Sequence, residues 1–254
     1  MTGSFLLVDA GNSFVKWAID NGRVLGNGGS ASTDTLDLRA SWAQLPVPDA
    51  VCVSSVACEE IRKAISNHCA QAWQLDAQFI QSMSQQLGVT NCYAQPTRLG
   101  SDRWAALIGA RALYQCPLAV IDCGTAVTID AMNSDGEFIG GVIFPGMDLM
   151  RHSLQDRTQY INEIESTHLN VFGSSTGECV RAGAEFAVVG GLDRVLQEFM
   201  NEFGEQMKVL LTGGQAQRVQ QLLNKSVILI PDLVLQGLTQ IIRSSKQSAG
   251  NSSE

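Results

Sequence analysis

The sequence has little positive charge. Lys and Arg total 17 against 25 Asp and Glu among 254 residues, which gives a formal net charge of −8. A broad surface for nucleic acid or for a membrane needs clustered basic side chains, so we expect neither partner. A small anion site is still compatible with this balance, because it needs only a few backbone N–H groups.

Long apolar runs are also missing. The chain starts without basic residues, and its first apolar run, 5–8, ends at Asp9. A membrane helix needs about 20 apolar residues, and a secretory signal needs a basic start before its apolar region. We therefore expect a cytoplasmic protein.

Metal-binding patterns of cysteine and histidine are absent from the sequence. Its seven cysteines include no C-x-x-C pair, and none of its three histidines has a partner four residues away. Scattered cysteines in a reducing compartment are typical of small buried hydrophobic residues. We expect neither a zinc site nor disulfides.

The start of the chain is repeated 113 residues later. An apolar run that ends in Asp9-Ala10-Gly11-Asn12 has its counterpart in a run that ends in Asp122-Cys123-Gly124-Thr125. A second strand is predicted after each turn, over 14–19 and 127–132. Two such elements indicate a duplicated α/β domain with a site between the halves.

The remaining pattern alternates predicted strands and helices, as expected of helices packed on sheets. We predict domains over 1–115 and 116–243 and a disordered tail over 244–254. Further strands are predicted over 23–25, 50–56, 138–144, 208–211 and 227–230. Helices are predicted over 59–73, 101–113, 147–154, 176–203 with an interruption, 216–223 and 233–243, and a loop over 82–100.

The first turn, Asp9–Ser13, has the composition of a phosphate-binding loop. A glycine turn lets backbone N–H groups approach phosphate oxygens, and a carboxylate at a strand end can hold Mg²⁺ through water. Lys16 on the next strand can add a positive charge. A plain hairpin with a surface lysine explains the same residues. No P-loop motif, G-x-x-x-x-G-K-[ST], is present.

The second turn carries the other acidic strand end, Asp122. Two carboxylates facing one cleft repel unless cations lie beside them, which predicts a metal ion. Thr212-Gly213-Gly214, between a predicted strand and helix, could let a ligand approach the backbone or could be an ordinary turn.

A loop and a helix start come together in the segment from Tyr93 to Arg103. Asp102 could accept a proton from a hydroxyl nucleophile, and Arg103 could bind a carboxylate or a phosphoryl group. Alternatively, Ser101 or Asp102 only caps the helix.

Taken in order, these elements resemble the type III pantothenate kinases of the actin and sugar-kinase ATPase superfamily. The resemblance extends from about residue 5 to residue 240. Its motifs are Asp9–Ser13, Gly100–Ala106, Asp122–Thr128, Gly140–Gly146 and Ser175–Thr176.

That resemblance implies duplicated actin-like (ribonuclease H-like) domains with a nucleotide cleft between them. It also implies ATP-dependent phosphorylation of the 4′-hydroxyl of pantothenate, the first step of coenzyme A biosynthesis. Asp102 is the implied general base, Asp9 serves Mg²⁺ with ATP, and Asp122 binds a monovalent cation, K⁺ or NH₄⁺. The implied ATP contacts are Asp9, Ala10, Gly11, Asn12, Ser13, Phe14, Val15, Lys16 and Thr125. The implied pantothenate contacts are Tyr93, Gly100, Ser101, Asp102, Arg103 and Thr176, the last supplied across a homodimer interface.

Two other hypotheses fit the same residues. A kinase for another acceptor, or a phosphatase, would keep the Asp9 and Asp122 turns without needing the segment from Tyr93 to Arg103. A non-catalytic, nucleotide-dependent regulatory protein would have no need of Asp102 and Arg103, and the presence of both favours an enzyme.

Overall fold

The structure is a computed structural model that describes residues 3–156 and 170–251, with side chains to residue 247. The chain forms two compact units. Unit 1 comprises residues 1–115, 136–138 and 232–254, and unit 2 comprises residues 116–135 and 139–231.

A five-stranded sheet forms the centre of unit 1, in the order β3-β2-β1-β4-β5. Strands β1 and β2 are antiparallel, whereas β4 and β5 run parallel to β1. The strands of this sheet are β1 (Phe5–Ala10), β2 (Phe14–Asp20), β3 (Leu25–Ser32), β4 (Ala50–Ser55) and β5 (Ala77–Phe79). Two short strands of unit 1 lie outside it, β6 (Gln85–Gln86) and β7 (Val89–Asn91), and they are antiparallel to each other. The helices are α1 (Leu38–Trp42), α2 (Glu59–His68) and α3 (Ser101–Leu113), with the last helix of the chain described below.

Unit 2 is built on strands in the order β12-β11-β8-β9-β10. They are β8 (Leu118–Cys123), β9 (Ala126–Met132), β10 (Glu137–Pro145), β11 (Lys208–Thr212) and β12 (Ile228–Leu229). The first residues of β10, Glu137 and Phe138, belong to unit 1, where they pair with β7. The helices are α4 (Met147–Gln155), α5 (Thr176–Phe203) and α6 (Ala216–Leu222).

The predicted duplication is visible in the strands. Strands β1 and β8 share one burial pattern along six residues, and β2 and β9 share another along seven. The turns differ in length, because Ala10 pairs with Val15 but Cys123 pairs with Val127. The offset of 113 residues therefore holds only for the first strand of each hairpin. After the turn it becomes 112, and the residue opposite Asp122 is Thr128, whereas Lys16 lies opposite Asp9.

The end of the chain differs from the prediction. Helix α7 (Leu233–Asn251) continues eight residues beyond Arg243, and it belongs to unit 1 rather than to the second domain. It packs against α3, and residues 252–254 of the predicted tail lie outside the described part of the chain. A Cβ atom on Gly109 would lie 2.6 Å from the carbonyl oxygen of Leu233, so the two helices approach closely because that side chain is only a hydrogen.

An ion pair also connects α7 to the sheet of unit 1. The guanidinium of Arg243 donates from Nε and Nη2 to the two carboxylate oxygens of Asp20, at 2.9 Å and 2.6 Å. Asp20 is buried at the end of β2. This two-pronged contact gives the buried carboxylate its cationic partner, in addition to the N–H of Gly22, which donates to Oδ1 at 2.9 Å.

Each unit has its own apolar core. The core of unit 1 lies between its sheet and α1 and α2, and it includes the fully buried Trp42. The core of unit 2 lies between its sheet and α5 and α6, centred on Val188 and Leu192. Helix α5 is continuous, contrary to the predicted interruption. Of the helices in the described residues, none is both long enough and apolar enough to span a bilayer.

Candidate functional site

The first turn is held in place by backbone hydrogen bonds on both sides. The N–H of Gly11 donates to the carbonyl of Phe14 at 2.9 Å, and the Thr33 hydroxyl donates to the carbonyl of Asn12 at 2.8 Å. The side chains of Ala10 and Val15 are buried in the core, so these two predicted ATP contacts could act only through their backbone.

An acidic and a basic side chain lie beside this turn. Asp9 is partly exposed at the end of β1, and Lys16 lies directly opposite it on β2. Side chains opposite each other on antiparallel strands share one face, so a carboxylate and an ammonium group flank the turn together. Phe14, where the chain leaves the turn and enters β2, is 55% exposed.

The second turn, in unit 2, is held by three backbone contacts. The N–H of Gly124 donates to the carbonyl of Ala126 at 3.1 Å, that of Gly146 to Thr125 at 2.9 Å, and that of Gln215 to Cys123 at 2.9 Å. Thr125 is exposed. The predicted Thr212-Gly213-Gly214 turn therefore packs directly against the second acidic strand end.

Gly213 is required at that contact. Its φ is +96°, which side chains rarely adopt, and a Cβ atom there would lie 2.6 Å from the backbone N of Cys123 and in collision with Oδ1 of Asp122. The glycine thus brings the β11–α6 turn against the Asp122 carboxylate. Negative charge at Asp122 and burial together raise the pKa of the neighbouring Cys123 thiol, burial being the larger cause.

Asp102 lies in the first turn of α3, in unit 1. Its Oδ1 accepts a hydrogen bond from the backbone N–H of Arg103 at 2.8 Å. Burial raises the pKa of Asp102 above its ordinary value, and the Arg103 N–H and guanidinium offset only part of that effect. A carboxylate in such a position is a stronger proton acceptor than an exposed one.

Arg103 is buried beside aromatic rings. Its guanidinium carbon lies 5.8 Å from the centre of the Tyr93 ring and 5.7 Å from that of Phe138, and the two rings are 5.0 Å apart. These distances are within the range of cation–π attraction. The structure therefore places Arg103, the chain neighbour of Asp102, beside Tyr93 and beside Phe138, which the sequence did not single out.

The Ser101 side chain is hydrogen-bonded within unit 1. Its hydroxyl is 3.0 Å from the hydroxyl of Ser54 and accepts the backbone N–H of Ser55 at 2.9 Å. Both partners lie at the carboxyl end of β4, where Ser54 is the strand neighbour of Asp9. The hydroxyl of Ser101 is thus bonded to β4 of the sheet in unit 1. The serines of β4 are ordinary strand residues in the sequence, and nothing in their spacing indicated this role.

Thr176 begins α5 in unit 2 and is exposed. The preceding residues cap the helix, since the Ser175 hydroxyl accepts the N–H of Glu178 at 3.3 Å. The Glu178 carboxylate in turn accepts the Ser174 hydroxyl and N–H, at 2.6 Å and 2.7 Å, and these bonds lower the pKa of Glu178. Thr176 is therefore an exposed first residue of a helix whose start is capped by hydrogen bonds.

Oxygen donors are the only candidates for metal binding at these turns. In the part of the chain that the structure describes, no three His, Cys, Asp or Glu side chains cluster as a metal site. Asp9 and the Ser13 hydroxyl supply hard oxygen ligands near the first turn, which suit Mg²⁺ that keeps most of its water and binds to phosphate.

Comparison with known proteins identifies the family. The model of the type III pantothenate kinases matches residues 5–198. The chain belongs to this family. A type III pantothenate kinase of Nitrosospira multiformis is 38% identical over 250 residues, which cover 98% of this chain and 95% of the relative. The resemblance found in the sequence motifs is thereby confirmed, and the chain is a member of a family of kinases.

Solved structures establish the fold. A Campylobacter jejuni protein named after the Baf family of transcriptional activators has a TM-score of 0.61 at 20% identity, covering 95% of this chain and 99% of its own. MreB 5 of Spiroplasma citri, bound to AMPPNP, has a TM-score of 0.51 at 12% identity and covers 99% of both chains. The predicted class, duplicated actin-like α/β domains, is confirmed.

Proposed function

We propose that this chain transfers the γ-phosphoryl group of ATP to the 4′-hydroxyl of pantothenate, the first step of coenzyme A biosynthesis. The observation that carries the proposal is the largely buried Asp102 carboxylate beside Arg103 and Tyr93, in a chain that belongs to the type III pantothenate kinases. Phosphoryl transfer needs in-line placement and charge stabilisation more than covalent chemistry.

Asp102 is the proposed general base. Its raised pKa increases its affinity for the proton of the substrate hydroxyl, and the hydrogen bond from the Arg103 N–H fixes its Oδ1. A positioned carboxylate of this kind typically contributes on the order of 10²–10⁴ in rate. It orients the hydroxyl and receives its proton as the oxygen–phosphorus bond forms.

Arg103 is proposed to bind the carboxylate of pantothenate. The buried guanidinium lies beside the Tyr93 and Phe138 rings, so little side-chain freedom is left to lose when an anion binds. An arginine in this setting can bind a carboxylate through two parallel hydrogen bonds. Tyr93 and the backbone at Gly100 then form the wall of the same pocket in unit 1.

The Asp9–Lys16 turn is proposed to bind the ATP phosphates. The backbone N–H of Asn12 and the Lys16 ammonium group would supply the positive electrostatic environment, and Asp9 would hold Mg²⁺ through water. When bound, Mg²⁺ would neutralise the charge that develops on the phosphates. Thr125 is proposed as a further contact from the second turn.

A monovalent cation is proposed at Asp122. The Asp122 carboxylate supplies oxygen ligands, which suit a cation such as K⁺, and the missing side chain of Gly213 leaves room beside Oδ1. If the proposal holds, replacing K⁺ by Na⁺ lowers the rate of the native chain, and this difference disappears in Asp122→Asn. An equal cation effect in both proteins would contradict it.

We also propose a homodimer in which Thr176 of the partner subunit contributes to the pantothenate site. Unit 2 carries large apolar side chains that are about half exposed on β10, α4 and α5, including Ile143, Leu149 and Phe186. Sedimentation equilibrium should give twice the monomer mass, and Phe186→Glu should shift it toward the monomer.

The test of the function is ADP release from ATP and Mg²⁺, measured with and without pantothenate. Release that depends on pantothenate supports the kinase. Release without any acceptor supports an ATPase or a phosphatase. Binding of ATP without release supports the regulatory hypothesis, which the presence of both Asp102 and Arg103 disfavours.

A further inference from the structure

Buried serines surround the segment that carries Asp102. Ser54 is fully buried, and the side chains of Ser82 and Ser101 are almost completely covered. A buried hydroxyl without a partner destabilises the fold, so such residues persist where their hydrogen bonds fix a structure. All three of these hydroxyls are hydrogen-bonded, those of Ser54 and Ser101 to each other, and their contacts hold the chain on both sides of Gly100.

On the upstream side, Ser82 fixes the approach to the helix. Its hydroxyl lies 2.9 Å from the carbonyl oxygen of Pro96 and 2.7 Å from that of Leu99. The Asn91 side-chain amide donates to the same Pro96 carbonyl at 3.0 Å. The chain therefore reaches Gly100 along a fixed path.

On the downstream side, Ser101 fixes the helix start to the sheet. Residue 100 is the N-cap of α3, and as a glycine it has no side chain to cap the helix. The Ser101 hydroxyl instead bonds to Ser54 and to the N–H of Ser55, across 46 or 47 residues of sequence. The first turn of α3 is thereby fixed at the carboxyl end of β4, next to β1, which carries Asp9.

We infer that the Ser54–Ser101 hydroxyl pair positions Asp102, and that Ser101 serves as a positioning residue rather than as a substrate contact. The inference rests on the proposed function, since it assigns the pair to the orientation of the proposed base. Asp102 follows Ser101 directly, so a shift of the helix start moves its carboxylate by a similar distance. Displacements of about 1 Å at a reacting group can reduce a rate by about 10²-fold.

The test is a double-mutant cycle of Ser54→Ala, Ser101→Ala and the pair, with kcat and KM measured separately. We expect Ser101→Ala to lower kcat by about tenfold or more with little change in KM for ATP. Ser54→Ala should lower kcat less, and the double variant should match Ser101→Ala, because both changes remove one contact. Ser101→Thr, which keeps the hydroxyl, should recover much of the loss in kcat.

A control separates positioning from general stability. Thr239→Val removes another buried hydroxyl of unit 1, which donates within α7 to the carbonyl of Leu235 at 3.1 Å. It should lower Tm as Ser101→Ala does and leave kcat unchanged. An unchanged kcat in Ser101→Ala, a loss of the same size in Thr239→Val, or additive losses in the cycle would each overturn the inference.

The same measurements distinguish failure of the inference from failure of the proposed function. If the native chain is active and Asp102→Asn is not, while Ser101→Ala keeps its kcat, only the positioning role is wrong. If the native chain shows no ADP release that depends on pantothenate, the proposed function is wrong and the positioning role is overturned with it.

Discussion

A Cβ atom on residue 100 would lie 2.5 Å from Oδ1 of Asp102, so the absent side chain of Gly100 makes room for that carboxylate. The backbone at Gly100 has a φ of −57°, which every residue adopts readily. The constraint is therefore one of space rather than of backbone strain. A methyl group here would meet the movable end of the Asp102 side chain and displace it.

Gly100→Ala should therefore lower kcat by tenfold or more while the protein stays folded. The reason is displacement of the proposed base by about 1 Å. Steady-state kinetics with ATP and pantothenate, together with thermal unfolding, would measure both effects.

Gly183→Ala is the matched control, because its Cβ would meet nothing within 4 Å in helix α5. It should keep full activity and gain about 0.5–1 kcal/mol in stability. Equal activities of the two variants would contradict this account.

Asp102→Asn should lower the turnover and raise the stability of the folded chain. We expect ATP binding to persist and turnover to fall on the order of 10²–10⁴-fold. Burial raises the pKa of Asp102 in the folded chain, so the folded state binds this proton more tightly than the unfolded state. The contribution of Asp102 to stability is therefore greatest below the unfolded-state pKa and is lost as the pH rises through the folded-state pKa.

At neutral pH the charged carboxylate thus destabilises the fold, and the neutral amide should raise Tm. Unfolding curves of both proteins at pH 7 and at pH 4 would test the sign. The difference in Tm should shrink at the lower pH, where the native carboxyl takes up its proton. A lower Tm for Asp102→Asn at pH 7 would show that burial is not the dominant effect.

Gly213→Ala should damage unit 2 where Gly214→Ala does not. Residue 213 has a positive φ and contacts the backbone of Cys123, whereas a Cβ on residue 214 would meet nothing within 4 Å. We expect Gly213→Ala to lose more than about 1–2 kcal/mol and to weaken binding of a nonhydrolysable ATP analogue. Calorimetry of the neighbouring pair of variants gives both quantities, and similar values for the two would count against the role of this turn.

Arg243→Met should destabilise unit 1 by about 2–4 kcal/mol. It leaves the buried Asp20 carboxylate without its partner, although the partial exposure of Arg243, 38%, softens the loss. Arg194→Met is the control, since its ion pair with Glu198 on α5 is exposed at both ends. That change should stay within about 0.5 kcal/mol in urea unfolding. Equal losses would mean that the Asp20 contact is no stronger than a surface pair.

Much of the fold could be predicted from the sequence because the strands around the two turns are apolar and end in polar residues. Helix α3 was predicted with both of its ends, 101 and 113, since a serine and an aspartate precede a run of strong helix formers. Strand β3 was predicted too early, over 23–25 rather than Leu25–Ser32. Its glycines have low strand propensity, and one of them, Gly29, lies against the Trp17 ring, where a Cβ would collide.

Only those site residues that lie close together in the sequence could be predicted. Tyr93, Asp102 and Arg103 do lie together, because one short loop and one helix start carry all three. The contribution of Phe138 and of Ser54 depends on pairings between distant segments, β10 with β7 and α3 with β4. Such tertiary contacts leave no periodic signal in the sequence. The bonds of the Ser101 hydroxyl to β4 could not be predicted for the same reason.

The return of α7 to unit 1 has a consequence for folding during synthesis. Unit 2 is almost entirely encoded between residues 116 and 231, so the ribosome completes it before it completes unit 1. Until the last helix emerges, the sheet of β1 to β5 lacks the α7 contacts that cover part of it. The Asp20 carboxylate also lacks its ion-pair partner, Arg243, until then. Unit 2 can therefore form all of its contacts without the end of the chain, whereas unit 1 cannot. A chain truncated after residue 231 should carry a folded second unit and an unfinished first one.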